Sequence, residues 1–163
     1  MCSVNNKIPL IVVCGPTASG KTALGIYLAK RFNGEVVSAD SMQIYKGMDI
    51  ATAKPTEEET CGVPHHLIGY VNPTEKYSVA DYACVARKVI ADIYSRGKVP
   101  VLVGGTGLYI KALLENIEFS QQPENEELRA ELYKRLDTEG AEALLRELST
   151  FDPQSAQRIG TKN

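Results

Sequence analysis

Short apolar runs alternate with amphipathic stretches along most of the chain. Ile8 to Cys14 is a continuous apolar run. Such a run suits a strand buried on both faces of a parallel sheet, with Cys14 inside the core. A helix follows to about Phe32 and stops at Asn33-Gly34, a C-terminal signal. Glu35 to Ala39 is a second short strand, which delivers Asp40 and Ser41 to its C-terminal end. Met42 to Pro55 has no period and reads as a functional loop, and Thr56 with Glu57, Glu58 and Glu59 forms a capped single turn ending near Gly62. A third strand is predicted over His66 to Val71. Ser78-x-x-Asp81 is a capping box that opens a helix to about Arg96, closed by Gly97. Val79, Tyr82, Ala83, Ala86, Val89, Ile90 and Ile93 recur at helical spacing, so one face of this helix packs on the sheet. Val99 to Val103 is another buried strand, followed by Gly104-Gly105-Thr106-Gly107 and a helix through Leu114.

After Asn116 the pattern changes. Glu124 to Leu136 and Thr138 to Leu148 are charged amphipathic helices joined near Asp137, an αα-hairpin rather than more sheet. Asp152-Pro153 caps a last short turn. We therefore expect an α/β core over residues 1–116, a parallel sheet flanked by helices, and a helical insertion or extension over 117–163. At 163 residues, 44% hydrophobic and 23% charged, the chain suits a globular domain. Its net charge of −2 argues against a broad basic nucleic-acid surface, so any such partner must meet a local patch or parts outside the chain. No apolar run reaches the ~20 residues of a membrane span, and Met1 to Asn6 lacks a signal-peptide core. Cys2, Cys14, Cys61 and Cys84 form no C-x-x-C pair and read as reduced thiols of a cytoplasmic protein.

The stretch that carries chemistry is Gly15-Pro16-Thr17-Ala18-Ser19-Gly20-Lys21-Thr22. It is G-x-x-x-x-G-K-[ST] with a strand before and a helix after, the phosphate-loop context. Gly15 and Gly20 let the backbone curl so that N–H groups converge on an anion, and the positive end of the next helix faces the same hollow. Lys21 brings a full charge to phosphate oxygens, and the Thr22 hydroxyl is placed to ligate Mg²⁺. The motif identifies a di- or triphosphate and not what hangs on it. Asp40, at a strand end on the same edge, has two readings: a general base, or a carboxylate holding Mg²⁺ as in an ATPase. The other strand, Val99 to Val103, ends in Gly-Gly where an ATPase would carry such an Asp.

Five stretches read in order resemble the bacterial tRNA dimethylallyltransferases, also called tRNA isopentenyltransferases. They are Gly15 to Thr22, Ser38 to Tyr45, Lys46 to Pro55, Val63 to Ile68 and Gly104 to Tyr109, and the resemblance extends from about Leu10 to Arg158. It implies a P-loop NTPase-like fold that transfers a dimethylallyl group from its diphosphate to the exocyclic amine of an adenine beside the anticodon of tRNA. By that resemblance Asp40 is the base, and the phosphate loop with Lys21, Thr22 and Mg²⁺ stabilises the departing pyrophosphate. Thr106 contacts the tRNA near the reacting centre, Ser41, Met42 and Gln43 receive the adenine and its neighbours, and Arg129 falls near a tRNA-contacting Arg. On its own, Arg129 reads equally as a solvated residue of a charged helix. The expected enzyme is a monomer with no membrane partner.

Two departures stand out. Ala51 occupies a position usually held by Gly, and Ile159 to Asn163 replaces the family's Ile-His-Pro-Asn. Family proteins are roughly twice the length of a single ~150-residue domain, so the chain reads as an N-terminal portion, with activity expected of the longer protein. His65-His66 reads as a structural pair rather than a metal site, and Tyr45, Tyr77, Tyr82 and Tyr109 as core packing. The competing readings are an adenylate prenyltransferase acting on free nucleotide, a small-molecule P-loop kinase, and a non-catalytic nucleotide-binding module.

Overall fold

The computed structural model describes residues 8–50, 52–117, 119 and 125–160. They form two compact units, which divide at Phe119–Ser120. The expectations placed on Met1 to Asn6, Cys2, Ala51, Glu124 and the last three residues lie outside the described residues.

In the first unit, β1 (Ile11–Cys14), β2 (Gly34–Ser38), β3 (His65–His66) and β4 (Val99–Gly104) form a parallel sheet in the order β1-β4-β2-β3. Val101 of β4 lies opposite Ile11 on one side and Val36 on the other. Side chains alternate across the sheet as a parallel interior requires. Val13, Val36, Val101 and Val103 pack against Ile26 and Ala29 of α1 (Lys21–Arg31). Val37 and Leu102 pack on the opposite face against Tyr82, Ala86, Ile90 and Ile93 of α3 (Val79–Ser95), joined by Tyr109 and Ile110 of α4 (Gly107–Leu114). The result is the expected sheet between two helical layers.

Two strands of this unit and one burial differ from expectation. β1 starts at Ile11 and is the end strand of the described sheet. Only Val13 of its four residues is buried, and Cys14 is exposed at its C-terminal end rather than enclosed in the core. β3 stops at His66 because Leu67 and Gly69 take left-handed φ of 64° and 59°, which ends an extended run. Val71 instead makes an isolated parallel bridge with Tyr45. The single turn α2 (Glu57–Thr60) has the capping box its sequence announces, as does α3 through Ser78 and Asp81.

Glu35 anchors the base of β2. Its side chain is 3% exposed, and it accepts from Arg96 Nη1 at 2.6 Å and Nη2 at 2.7 Å and from Lys98 Nζ at 2.6 Å. His66 Nε2 lies 2.7 Å from Glu35 Oε2, which gives that histidine the structural role foreseen for it. Foremost the Arg96 guanidinium, then Lys98 and His66, hold the Glu35 carboxyl well below the usual carboxylate range against the opposing effect of burial. At the other end of β2, the Tyr82 hydroxyl donates to the Ser38 carbonyl at 2.9 Å, and Tyr82 stacks on Tyr109 with centroids 4.0 Å apart.

The second unit contains α5 (Glu126–Glu139), α6 (Ala141–Phe151) and α7 (Pro153–Ile159). The break falls at Gly140 and not near Asp137. Asp137 to Glu139 continue the helix, while Gly140 adopts φ 81°. Arg135 joins α5 to α6 by bonding Glu139 and Glu147. Asp152 caps α7 by accepting from the Ser155 N–H at 3.0 Å, with Pro153 at the first helical position.

Candidate functional site

The sheet edge formed by the C-terminal ends of β1, β4 and β2 gathers the chemistry-bearing residues. At the end of β1 the chain curls through Gly15 to Gly20 into α1. The left-handed positions in this curl are Ala18, at φ 63°, and Gly20, at φ 80°, rather than Gly15. At Gly15 the constraint is space, since a Cβ there would lie 3.1 Å from Ser19 Oγ, a tight contact that the hydroxyl would have to ease. Ser19 Oγ donates to the Pro16 carbonyl at 2.8 Å, and the Lys21 ammonium donates to the same carbonyl. Thr17 to Lys21 line one hollow at the start of an 11-residue helix, a setting in which backbone amides and the helix dipole favour an anion.

That hollow is part of a cavity of about 440 Å³. Thr17 to Ala23 form one wall, Val103 and Gly104 the floor, and Asp40, Met42, Gln43, Thr52 and Ala53 the facing wall. Asp40 follows β2, which lies two places from β1 with β4 between them, so the carboxylate and the loop are separated by a full strand. They still open on the same space. Asp40 Oδ1 accepts from the backbone N–H of Met42 at 2.8 Å and of Gln43 at 3.2 Å. These bonds fix the carboxylate's orientation in an Asx-type turn. Among the described residues no hydrogen bond engages Oδ2.

Thr106 is the N-cap residue of α4, but its hydroxyl makes no cap bond. It accepts from the Ser41 N–H at 2.9 Å and donates to Ser41 Oγ at 3.2 Å, while its own N–H donates to the Ala39 carbonyl at 3.1 Å. The end of β4 approaches so closely that a Cβ on Gly104 would lie 2.1 Å from the Ala39 oxygen. This close approach is why Gly occupies position 104 and why Thr106 meets the Asp40–Ser41 turn. Thr106 and Ser41 thus flank the cavity rather than line it. Gly105 and Gly107, on either side of Thr106, line a second open cavity of about 420 Å³ together with Gly15 and Pro16.

Gln43 is tied into this wall of the cavity. Its Nε2 donates to the carbonyls of Thr52 at 3.2 Å and Ala53 at 2.9 Å, and its Oε1 accepts from Ser38 Oγ at 3.1 Å. Met42 is 47% exposed at the cavity mouth. Arg129 is exposed on α5, in the second unit. Among the described residues no group of three or more His, Cys, Asp or Glu could hold a metal ion. No helix among them is long and apolar enough to cross a membrane.

Two family models match the chain: IPP transferase over residues 43–163 and isopentenyl transferase over residues 8–70. A tRNA dimethylallyltransferase of an Exiguobacterium species is 52% identical over 157 residues, covering 96% of this chain and 50% of that protein. A tRNA dimethylallyltransferase of Macrococcus caseolyticus is 51% identical over 158 residues, covering 97% and 50%. The crystal structure of the full-length tRNA isopentenylpyrophosphate transferase of Bacillus halodurans is 48% identical. It superposes with a TM-score of 0.69 over 96% of this chain and 52% of that one. A eukaryotic dimethylallyltransferase acting on tRNA, 32% identical, reaches 0.80 over 96% and 39%. The chain spans about half the length of the curated relatives it matches.

Proposed function

The chain belongs to the IPP transferase family, and on that premise we propose that it carries the diphosphate-binding and base-bearing half of a tRNA dimethylallyltransferase. The substrates are dimethylallyl diphosphate and an adenine beside the anticodon of tRNA. One observation carries the reading: Asp40, with one oxygen fixed and the other unengaged among the described residues, opens on the same cavity as the phosphate loop.

The chemistry follows from that placement. The adenine N6 lone pair is delocalised into its ring, so the amine attacks poorly unless its proton is removed as the bond forms. N6 attacks C1 of the dimethylallyl group and the N–C bond forms. The C1–O bond breaks, and its electron pair leaves with pyrophosphate. The N6 proton passes to Asp40 Oδ2. Charge developing on the leaving oxygens is met by the loop amides and by Lys21, which exchanges the Pro16 carbonyl for phosphate oxygen. The Thr22 hydroxyl, a hard oxygen donor lining the same cavity, would hold Mg²⁺, which when bound would supply further charge neutralisation there. Thr106 positions the Asp40–Ser41 turn, and Met42 lies at the mouth where an unstacked adenine enters. Gln43 braces this wall of the cavity. We place Arg129 among the residues that meet the tRNA backbone.

Loop, base and Thr106 all come from one unit, so the reaction needs a single copy, and the free thiols of Cys14, Cys61 and Cys84 suit the cytoplasm. The test is incubation of the whole protein with labelled dimethylallyl diphosphate and unmodified tRNA, AMP or ATP in parallel. Label on tRNA alone is expected. Label on AMP would establish an adenylate prenyltransferase, and phosphoryl transfer from ATP a kinase.

A further inference from the structure

The segment that follows Asp40 closes on itself through a lysine that nothing above uses. Lys54 is 8% exposed along its side chain. Its Nζ donates to the Tyr45 carbonyl at 2.5 Å and to Asp49 Oδ1 at 2.8 Å. An enclosed ammonium is costly unless it is paired and hydrogen-bonded, and an ordinary surface loop has no need of one. The post it grips is tied to the core. Ile44 is fully buried, Tyr45 bridges Val71, and the Lys46 N–H donates to the Val71 carbonyl at 2.8 Å.

The limb leading to Lys54 is Thr52–Ala53, part of the cavity wall that faces the phosphate loop. Gln43 holds this limb by its two carbonyls, and the Thr52 hydroxyl donates to the Met48 carbonyl at 2.6 Å. The limb is therefore tied at both ends, to the Asp40 turn through Gln43 and to Tyr45 through Lys54.

We propose that Lys54 is a positioning residue for the transfer reaction, the clasp that closes residues 45–54 and holds the Thr52–Ala53 wall against the cavity. The role in transfer rests on the function proposed above; the clasp itself does not. Among the described residues the hydrogen bonds of Lys54 go to Tyr45 and Asp49 and none to Gly15–Thr22, so the anion grip should survive its loss. What should suffer is the chemical step, which is sensitive to sub-ångström placement and to water entering the cavity.

The experiment compares the whole wild-type protein with Lys54→Met, Lys54→Arg and Asp49→Ala. It reads amide hydrogen exchange over residues 45–53, single-turnover transfer, and the Kd of inorganic pyrophosphate. Lys54→Met is expected to exchange at least tenfold faster in that segment and to transfer about tenfold more slowly, with the pyrophosphate Kd within twofold. Lys54→Arg, which keeps charge and donors, should recover most of both losses. Unchanged exchange or unchanged transfer in Lys54→Met overturns the proposal. A parallel loss of pyrophosphate binding also overturns it, since that marks general loosening. Should Lys54→Met not fold, Asp49→Ala decides, because Asp49 is 72% exposed along its side chain and its loss leaves the core intact. Exchange at least threefold faster supports the clasp, and unchanged exchange refutes it. A wild type that transfers nothing sinks the functional reading instead, and the exchange data still judge the clasp.

Discussion

Replacing Glu35 by Gln removes the charge on which Arg96 and Lys98 converge at the base of β2 while keeping the side chain's size. Glu35 is 3% exposed, whereas Arg96 and Lys98 are 39% and 34% exposed. Removing one partner of a buried ion pair costs about 3–5 kcal/mol when the other charge is stranded. Here the cations can rehydrate, which lowers the expected loss to about 2–3 kcal/mol at pH 7. For a chain of this size that corresponds to a fall in Tm of roughly 5–10 °C. The pH dependence has a definite sign. The folded carboxyl titrates below its ordinary value of 4.5, so its contribution is fully present above that value and is lost as pH falls through the folded pKa. The gap between wild type and Glu35→Gln should therefore be widest above pH 5 and shrink steadily below pH 4.5. Urea unfolding of both chains at pH 7, 5 and 3.5 reads this directly. A gap below 0.5 kcal/mol at pH 7, or one that widens in acid, refutes the reasoning.

Three further outcomes follow from the geometry. Gly104→Ala forces a Cβ against the Ala39 backbone oxygen, where no rotamer can yield; about 3 kcal/mol of destabilisation is expected by denaturant titration, at the upper end for overpacking. Ser78→Ala removes the α3 cap and should cost about 1 kcal/mol in the same titration without changing pyrophosphate affinity. Thr106→Val deletes the acceptor for the Ser41 N–H; it should slow transfer several-fold in the whole protein while pyrophosphate Kd stays within twofold by calorimetry.

Much of this was legible in the chain because the signals are local. The strand–loop–helix turn at Gly15 to Lys21, the capping boxes at Thr56 and Ser78, the stop at Gly97 and the continuous run Val99 to Val103 are each written within a few residues. What escaped depends on partners distant in sequence or on backbone angles. The insertion of β4 between β1 and β2 pairs residues 65 apart on one side (Gly34 with Val99) and 90 apart on the other (Ile11 with Val101), and no residue of β4 announces it. Glu35 looks like an ordinary polar strand position, yet Arg96 and Lys98, from the end of α3 and the turn into β4, meet it at the base of β2. The short β3 follows from left-handed angles at Leu67 and Gly69, and a Leu gives no warning of that. Cys14 was assigned to the interior from its apolar neighbours, which say nothing about being last in an end strand. The amide of Gln43 braces Thr52 and Ala53, nine and ten residues on, which nothing local to Gln43 announces. The α5–α6 break follows Gly140, whose φ of 81° a helix interior does not accommodate, and Asp137 carries no such constraint.

The central claim is that a phosphate loop grips the prenyl diphosphate while Asp40 removes the amine proton across the same cavity. Single-turnover transfer from labelled dimethylallyl diphosphate to unmodified tRNA by the whole protein, wild type against Asp40→Asn, tests it with pyrophosphate Kd measured on the same samples. The account predicts a loss of at least 10²-fold in the transfer rate, in the range of lost general-base catalysis, with Kd within about twofold. Transfer within threefold of wild type would contradict it.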